Sequence, residues 1–295
     1  MPDIAKSGTQ DRVFTGIWLT SLAYFLFSGQ DALIKLLVET VDVWQIMLVR
    51  SIVVLSGCAL YAGPSVFVES ARSPILIPMV GRSILILSAW ICFYTAAKYL
   101  QLAELTTIYF AAPVVVTVLS IVVLGEKVPP IRWIAVLTGF AGVFVACNPT
   151  ALGLSWPVVM VLAAAVFWAF SIVLIRKLAL REKTSIQVVL NNVFFLAVAT
   201  VPVLGNWHTP SLAELAMLVS VGLLGGIAQY AMFEGMKHAD ASIVAGFEYA
   251  ALIWAFLFGY LIWSDIPRPE VFVGAAMIFV AGLLMVMGER ARLRR

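Results

Sequence analysis

The sequence predicts an all-α, polytopic membrane protein, and three observations carry that prediction. Hydrophobic residues fill 62% of the 295 positions and charged residues only 12%, about half of the ~25% usual in soluble domains; mean hydropathy is +1.02. The apolar residues come in runs near the ~20 residues that a bilayer-crossing helix needs. Glycine, proline and charged residues punctuate the gaps, where a backbone leaving lipid needs water for its amides. Length alone would allow two domains, yet no polar stretch is long enough to fold as a soluble one.

Taken in order, ten spans are read at 13–37, 44–62, 80–99, 103–124, 131–147, 156–178, 185–205, 212–236, 241–262 and 271–288. The first twelve residues are polar and show no cleavage pattern, so the first apolar run is expected to stay as a membrane helix. Gly63-Pro64 closes the second span, Pro129-Pro130 opens the fifth and Asn148-Pro149 ends it. Thr209-Pro210 precedes the eighth, and Pro267 and Pro269 precede the tenth. Trp44, Trp133, Trp156, Trp207 and Trp263 stand at span ends, where an amphipathic indole favours the membrane–water interface. Cys58, Cys92 and Cys147 lie far apart in apolar stretches with no metal-ligand spacing, as small buried hydrophobes do.

The basic residues set the orientation. With the N-terminus in the cytoplasm, that side collects Lys6, Arg12, Arg72, Arg82, Lys127, Arg132, Arg176, Lys177, Arg181, Lys183, Lys237 and the four arginines of the C-terminus, fifteen of the nineteen in the chain. The outer side receives Lys35, Lys98 and Arg268, while Arg50 lies within the second span. Positive residues stay inside, so both termini are expected in the cytoplasm of a bacterium, with the chain in its inner membrane. The arginine tail beside an apolar helix is a topology anchor rather than a nucleic-acid patch.

The two halves resemble each other. Gln45 and Arg50 follow a span ending Ile34-Lys35-Leu36, and Gln187 and Asn192 follow one ending Arg176-Lys177-Leu178. Residues 94–104 match 230–240, and each segment runs into an apolar span and then an acidic loop, Gly125-Glu126-Lys127 or Ser264-Asp265-Ile266. Five spans per half is an odd number, so the second half enters from the opposite face. The expected units are 1–149 and 150–295, an inverted repeat of the kind that gives two halves a shared central site.

These residues also carry a family resemblance. Ala96-Ala97-Lys98-Tyr99-Leu100, Ala111-Ala112-Pro113, Leu124-Gly125-Glu126-Lys127 and the glycines Gly139 and Gly142 resemble the EamA-type repeat of the drug/metabolite transporter superfamily. The second half is similar to a divergent copy, with Phe247-Glu248-Tyr249, the loop Trp263–Pro267, and Gly274 and Gly282. The resemblance covers the whole chain and implies a secondary transporter. Its substrates would be amino acids, or alternatively nucleosides, cationic drugs, S-adenosylmethionine or riboflavin. Pro113 aligns with Tyr249, so a proline kink is supported in one half only.

Ionisable groups in a span are costly and face a cavity or a partner. Asp31 and Lys35 are four apart on one helix face and can pair, as a structural pair or as a gating or coupling site. Arg50 can snorkel outward or hold a substrate carboxylate. Glu248, deep in the ninth span, suits a proton or cation carrier, or a neutral acid bonded to another helix. Lys98 and Glu104 flank a tight turn and are expected to be solvated outside. Gln187, Asn191, Asn192 and Gln229 are candidate polar contacts or interhelical hydrogen bonds.

Of the mid-span aromatic residues, Trp90, Tyr94, Trp168, Tyr230, Tyr249, Phe93 and Trp254 can line a pocket for an apolar or aromatic solute or simply pack. Trp90 and Tyr94 share a helix face. Gly29 and Pro113 are the candidate hinges, and Gly222, Gly226, Gly139 and Gly142 favour close helix approach.

The reading is therefore a secondary transporter, most simply an amino-acid exporter, working by alternating access. No Walker sequence occurs, so ATP is not the direct energy source, and no cofactor is expected. The rival class is an intramembrane enzyme, which needs a nucleophile–base pair or metal ligands at depth. The two histidines, His208 and His238, fall in loops on opposite faces. The expected partners are a small-molecule solute and the lipid bilayer, without nucleic acid, and the expected state is a monomer.

Overall fold

A computed structural model describes residues 2–124, 130–147, 155–178, 182–238 and 250–293. Among them all regular structure is helical: α1 (Pro2–Leu37), α2 (Val43–Ala62), α3 (Ser65–Ala71), α4 (Leu76–Ala97), α5 (Leu102–Tyr109), α6 (Ala112–Leu124), α7 (Pro130–Cys147), α8 (Trp156–Leu178), α9 (Thr184–Gly205), α10 (Leu212–His238), α11 (Ala250–Trp263) and α12 (Pro269–Leu293). Among the described residues, six segments are long and apolar enough to cross a membrane: Val43–Ala62, Leu76–Ala97, Leu102–Leu119, Trp156–Leu174, Thr184–Gly205 and Leu212–Gly235. Shorter apolar helices run over Trp133–Ala146, Ala251–Trp263 and Pro269–Leu284.

Local chemistry sets the helix ends. Asp42 caps α2 by accepting from the Trp44 amide at 2.8 Å, and Gly63 ends it at φ +79°, a backbone region that side chains disfavour. Ser211 and Glu214 form a reciprocal capping box ahead of α10, and Thr40 ties the α1–α2 turn to the same carboxylate at 2.6 Å. Inside the apolar helices, Thr20, Ser51, Thr107, Thr117 and Thr200 donate to the carbonyl four residues back, which keeps their hydroxyls satisfied without water.

Two sequence expectations need correction. The connection after Gly63 holds a short helix, α3, and the third span begins at Leu76 rather than 80. The fourth span is two helices, α5 and α6, broken at Phe110-Ala111. Pro113 sits in the first turn of α6, where its missing amide costs least; the chain stops and restarts there instead of bending through a proline.

The most extensive pairings are α7 with α12, α1 with α10, α4 with α8, and α2 with α9. Each joins a helix of the first half to one of the second. Exchanging α1 with α8, α2 with α9, α4 with α10 and α7 with α12 turns the α1–α10 pairing into α4–α8 and leaves α2–α9 and α7–α12 unchanged. At α7–α12 a Cβ on Gly274 would lie 2.5 Å from the Gly142 carbonyl oxygen, so backbones touch where side chains are missing. Gly222 lies equally close to Val53, where an added Cβ would come within 2.5 Å, and this brings α10 onto α2.

Candidate functional site

A cavity of about 100 Å³ lies between α1, α4, α5, α8 and α11. From α1 it receives Tyr24, Phe27, Ser28, Gln30 and Asp31; from α4, Trp90, Phe93 and Tyr94; from α5 and its end, Thr106, Tyr109 and Phe110; from α8, Trp168. Ala89, Ala251 and Ala255 leave the space that larger residues would fill. The rings form a continuous wall. Trp90 stacks beside Tyr94 at 6.3 Å, Phe93 meets Tyr109 edge-on at 5.1 Å, and Tyr109 reaches Trp168 at 6.4 Å. Asp31 is the one carboxylate among the described lining residues.

Behind Trp90 lies a polar network spanning both halves. Arg50 is fully buried and stacks on Trp90, 4.1 Å from guanidinium carbon to ring centre. Its Nε donates to Gln30 Oε1 at 3.3 Å and its Nη1 to Asn192 Oδ1 at 3.4 Å. Gln30 in turn donates to the Tyr94 hydroxyl at 3.0 Å, and Asn192 to Gln229 at 3.3 Å. Gly225 makes room for this cluster: a Cβ there would stand 1.8 Å from Gln30 Oε1. Arg50 and Asn192 occupy corresponding places in the two matched halves of the sequence and touch one another.

A second buried guanidinium, Arg82, lies one to two turns into α4. It donates to Asn191 Oδ1 at 3.4 Å, beside Ser83 at 2.6 Å, and packs over the Phe233 ring. Its Nε and the Asn191 amide nitrogen have no partner.

The structure gathers some expected residues and separates others. Trp90, Tyr94, Trp168 and Asp31 share the cavity; Gln229 and Arg50 belong to the network behind it. Tyr230 lies elsewhere, edge-on to Tyr61 at 5.7 Å, and Trp254 packs on Phe25 at 4.9 Å. Gly29 has only Leu224 near an added Cβ, at 3.9 Å. Glu248 and Tyr249 lie outside the described residues.

Three electrostatic expectations change. Lys35 does not pair with Asp31; it donates to the Leu100 and Ala97 carbonyls at 2.8 and 3.4 Å, because the C-terminal end of α4 leaves them unsatisfied. Glu104 is not solvated but buried and paired with Arg268. Arg82, expected among the cytoplasmic charges, is buried inside the bundle. Sequence reasoning missed Gln30 and the buried role of Arg82, and with them the cavity residues Tyr24, Phe27, Thr106, Tyr109 and Phe110. A polar residue beside Asp31 inside an apolar run was the available signal for Gln30.

Fold and cavity together define a polytopic membrane protein built around an internal, aromatic-walled chamber. The chain belongs to the EamA-like transporter family, whose model matches it twice, over residues 14–147 and 155–287. It is 28% identical over 207 residues to a riboflavin transporter of Vibrio cholerae, covering 70% of this chain and 68% of that one. It is 27% identical to the pseudopaline exporter CntI of Pseudomonas aeruginosa, covering 92% and 95%. It is 26% identical to an S-adenosylmethionine uptake transporter of Rickettsia bellii, covering 65% and 67%. A protein of known crystal structure shares the fold at TM-score 0.63 and 19% identity, over 96% of this chain and 99% of that one. The family and these relatives are transporters, not enzymes.

Proposed function

We propose that this protein is a secondary transporter that exports a small organic solute with an amino group and an apolar or aromatic body, amino acids foremost. The observation that carries the proposal is the cavity: one carboxylate, Asp31, set in a wall of aromatic rings. Rings attract a cation through their faces, and a carboxylate completes a site for an ammonium while the rings take the solute's body. Arg50, with its Nη2 unpartnered, stands behind Trp90 as a partner for a carboxylate once Trp90 moves. At about 100 Å³ the chamber is smaller than the ~300–1,000 Å³ typical of ligand sites, so loading requires it to widen. Outward direction follows the relative named as an exporter, whose likeness covers more of both chains than that of the two named for uptake.

The mechanism in this reading is alternating access by ten crossings in two inverted five-helix units, 1–149 and 150–295. The exchange symmetry of the helix pairings supports it, as does the contact between Arg50 and Asn192. With both termini in the cytoplasm of a bacterial inner membrane, the Glu104–Arg268 pair and Lys35 form the outer gate. Asp31 and Glu248 are the candidate coupling acids, Gly29 and the α5–α6 break before Pro113 the hinges. Tyr249 completes the set of proposed solute contacts, and Tyr230, turned to Tyr61 outside the cavity, is not among them.

Uptake into proteoliposomes, with and without a pH gradient, tests this using aromatic amino acids, S-adenosylmethionine and riboflavin. Amino-bearing solutes are expected to move, and Asp31→Asn to lower their rate tenfold or more at unchanged folded yield. Flux of riboflavin alone, unaffected by Asp31→Asn, would refute the assignment.

A further inference from the structure

A second concavity lies on the opposite flank of the bundle. It is a groove of about 390 Å³ walled by α1, α2, α9 and α10, within the ~300–1,000 Å³ range of built binding sites. Its lining is apolar apart from Ser185, the Cys58 thiol and the hydroxyls of Tyr61 and Tyr230. Three glycines shape it. Gly222 and Gly226 bring α10 against Val53 and Val54 to form the floor, and nothing lies within 4 Å of a Cβ built on Gly57. The Tyr61–Tyr230 pair, edge-on at 5.7 Å, sets two phenols at one end.

The rim is continuous with the bilayer-facing surface. Leu22, Leu223, Ile227 and Tyr61 are all exposed on helices of a membrane transporter. Water has almost nothing to bond there, and an empty groove would forfeit packing along its whole length. Hydrocarbon fits both constraints.

We propose that this groove is a binding site for one acyl chain of a bilayer phospholipid. A flat helix face touches a passing chain on one side, whereas this groove surrounds it on three. Tyr61 stands one residue from the C-terminal end of α2, so its hydroxyl falls toward the level at which a chain gives way to polar ester groups. The floor also backs onto the polar network: Val54 is one turn from Arg50, Val188 one turn from Asn192, and Gly226 follows Gly225. A chain held there props α2, α9 and α10 at the spacing that the Arg50–Asn192 contact requires.

The test uses the full-length protein. Reconstituted with a phosphatidylglycerol carrying a diazirine in its acyl chain, then irradiated and digested, the wild type is expected to crosslink preferentially at Leu19, Val53, Cys58 and Leu223. Equal labelling of Leu137, Phe140 and Phe144, exposed on α7, would overturn the proposal, because it would mean ordinary lipid contact. Gly57→Leu fills the groove from a position with free space and should cut phospholipid retained through detergent washing at least fivefold, with Tm unchanged. Retention equal to wild type in a folded Gly57→Leu protein would overturn it too. Should that variant not fold, the crosslink map on the wild type decides alone.

Discussion

Arg82 carries a guanidinium into the bundle and is paired with no carboxylate among the described residues. A buried charge without a counter-charge is expensive, and here one amide oxygen, on Asn191, carries the compensation. Asn191→Asp keeps the shape, keeps the oxygen that Arg82 and Ser83 already use, and removes an amide nitrogen that has no partner. The variant is expected to raise stability by about 1–3 kcal/mol, the value of a hydrogen bond to a charged group, seen as a higher Tm in detergent. A lower Tm would show that Arg82 is already compensated. At this scale the sequence was only partly legible. Arg50 stood out because it lies six residues past Trp44, directly after the apolar run Ile46–Val49, while Arg82 looked like a loop charge because the start of its helix was placed four residues late. Which amide meets which guanidinium depends on helix rotation, and a sequence read one helix at a time does not contain it.

Among the elements, α7 and α12 make the closest contact, backbone to backbone at Gly142 and Gly274. A methyl at Gly274 has a carbonyl oxygen in its way, and main chain cannot swing aside as a side chain can. Gly274→Ala should therefore destabilise by about 1–3 kcal/mol, as overpacking does, and lower Tm. Gly81→Ala, in α4 with nothing within 4 Å, should instead be neutral or gain about 0.5–1 kcal/mol from reduced backbone freedom. Similar shifts for the two would deny the close approach. Most helices were legible because a bilayer imposes length and polarity on every crossing. The α5–α6 break was half visible in Pro113, yet its place at Phe110-Ala111 depends on ring packing around Tyr109 and Phe110. Helix α3 was hidden because seven residues carry too little periodicity to separate from a loop.

For the whole molecule, an even number of crossings puts both ends on one face. Tags at the N- and C-termini should be equally protected from a membrane-impermeant reagent in intact cells and equally exposed after permeabilisation; opposite accessibilities would dismantle the two-unit reading. The repeated order of motifs made that reading possible from sequence. The cavity wall was less accessible, because a residue facing lipid and one facing an apolar chamber obey the same hydropathy. Trp90 and Tyr94 were placed in it by a shared face, whereas Tyr230, equally aromatic and equally mid-span, turned outward to Tyr61.

The meeting of Arg50 with Asn192 bears on how such a molecule could arise. If two identical five-helix chains once paired, whatever stood at this place on one copy faced itself on the other. Two arginines would repel, and two asparagines would forgo the charge. Joining the copies into one gene frees the positions to differ, so that a donor and its acceptor can share a spot where a homodimer must seat twins.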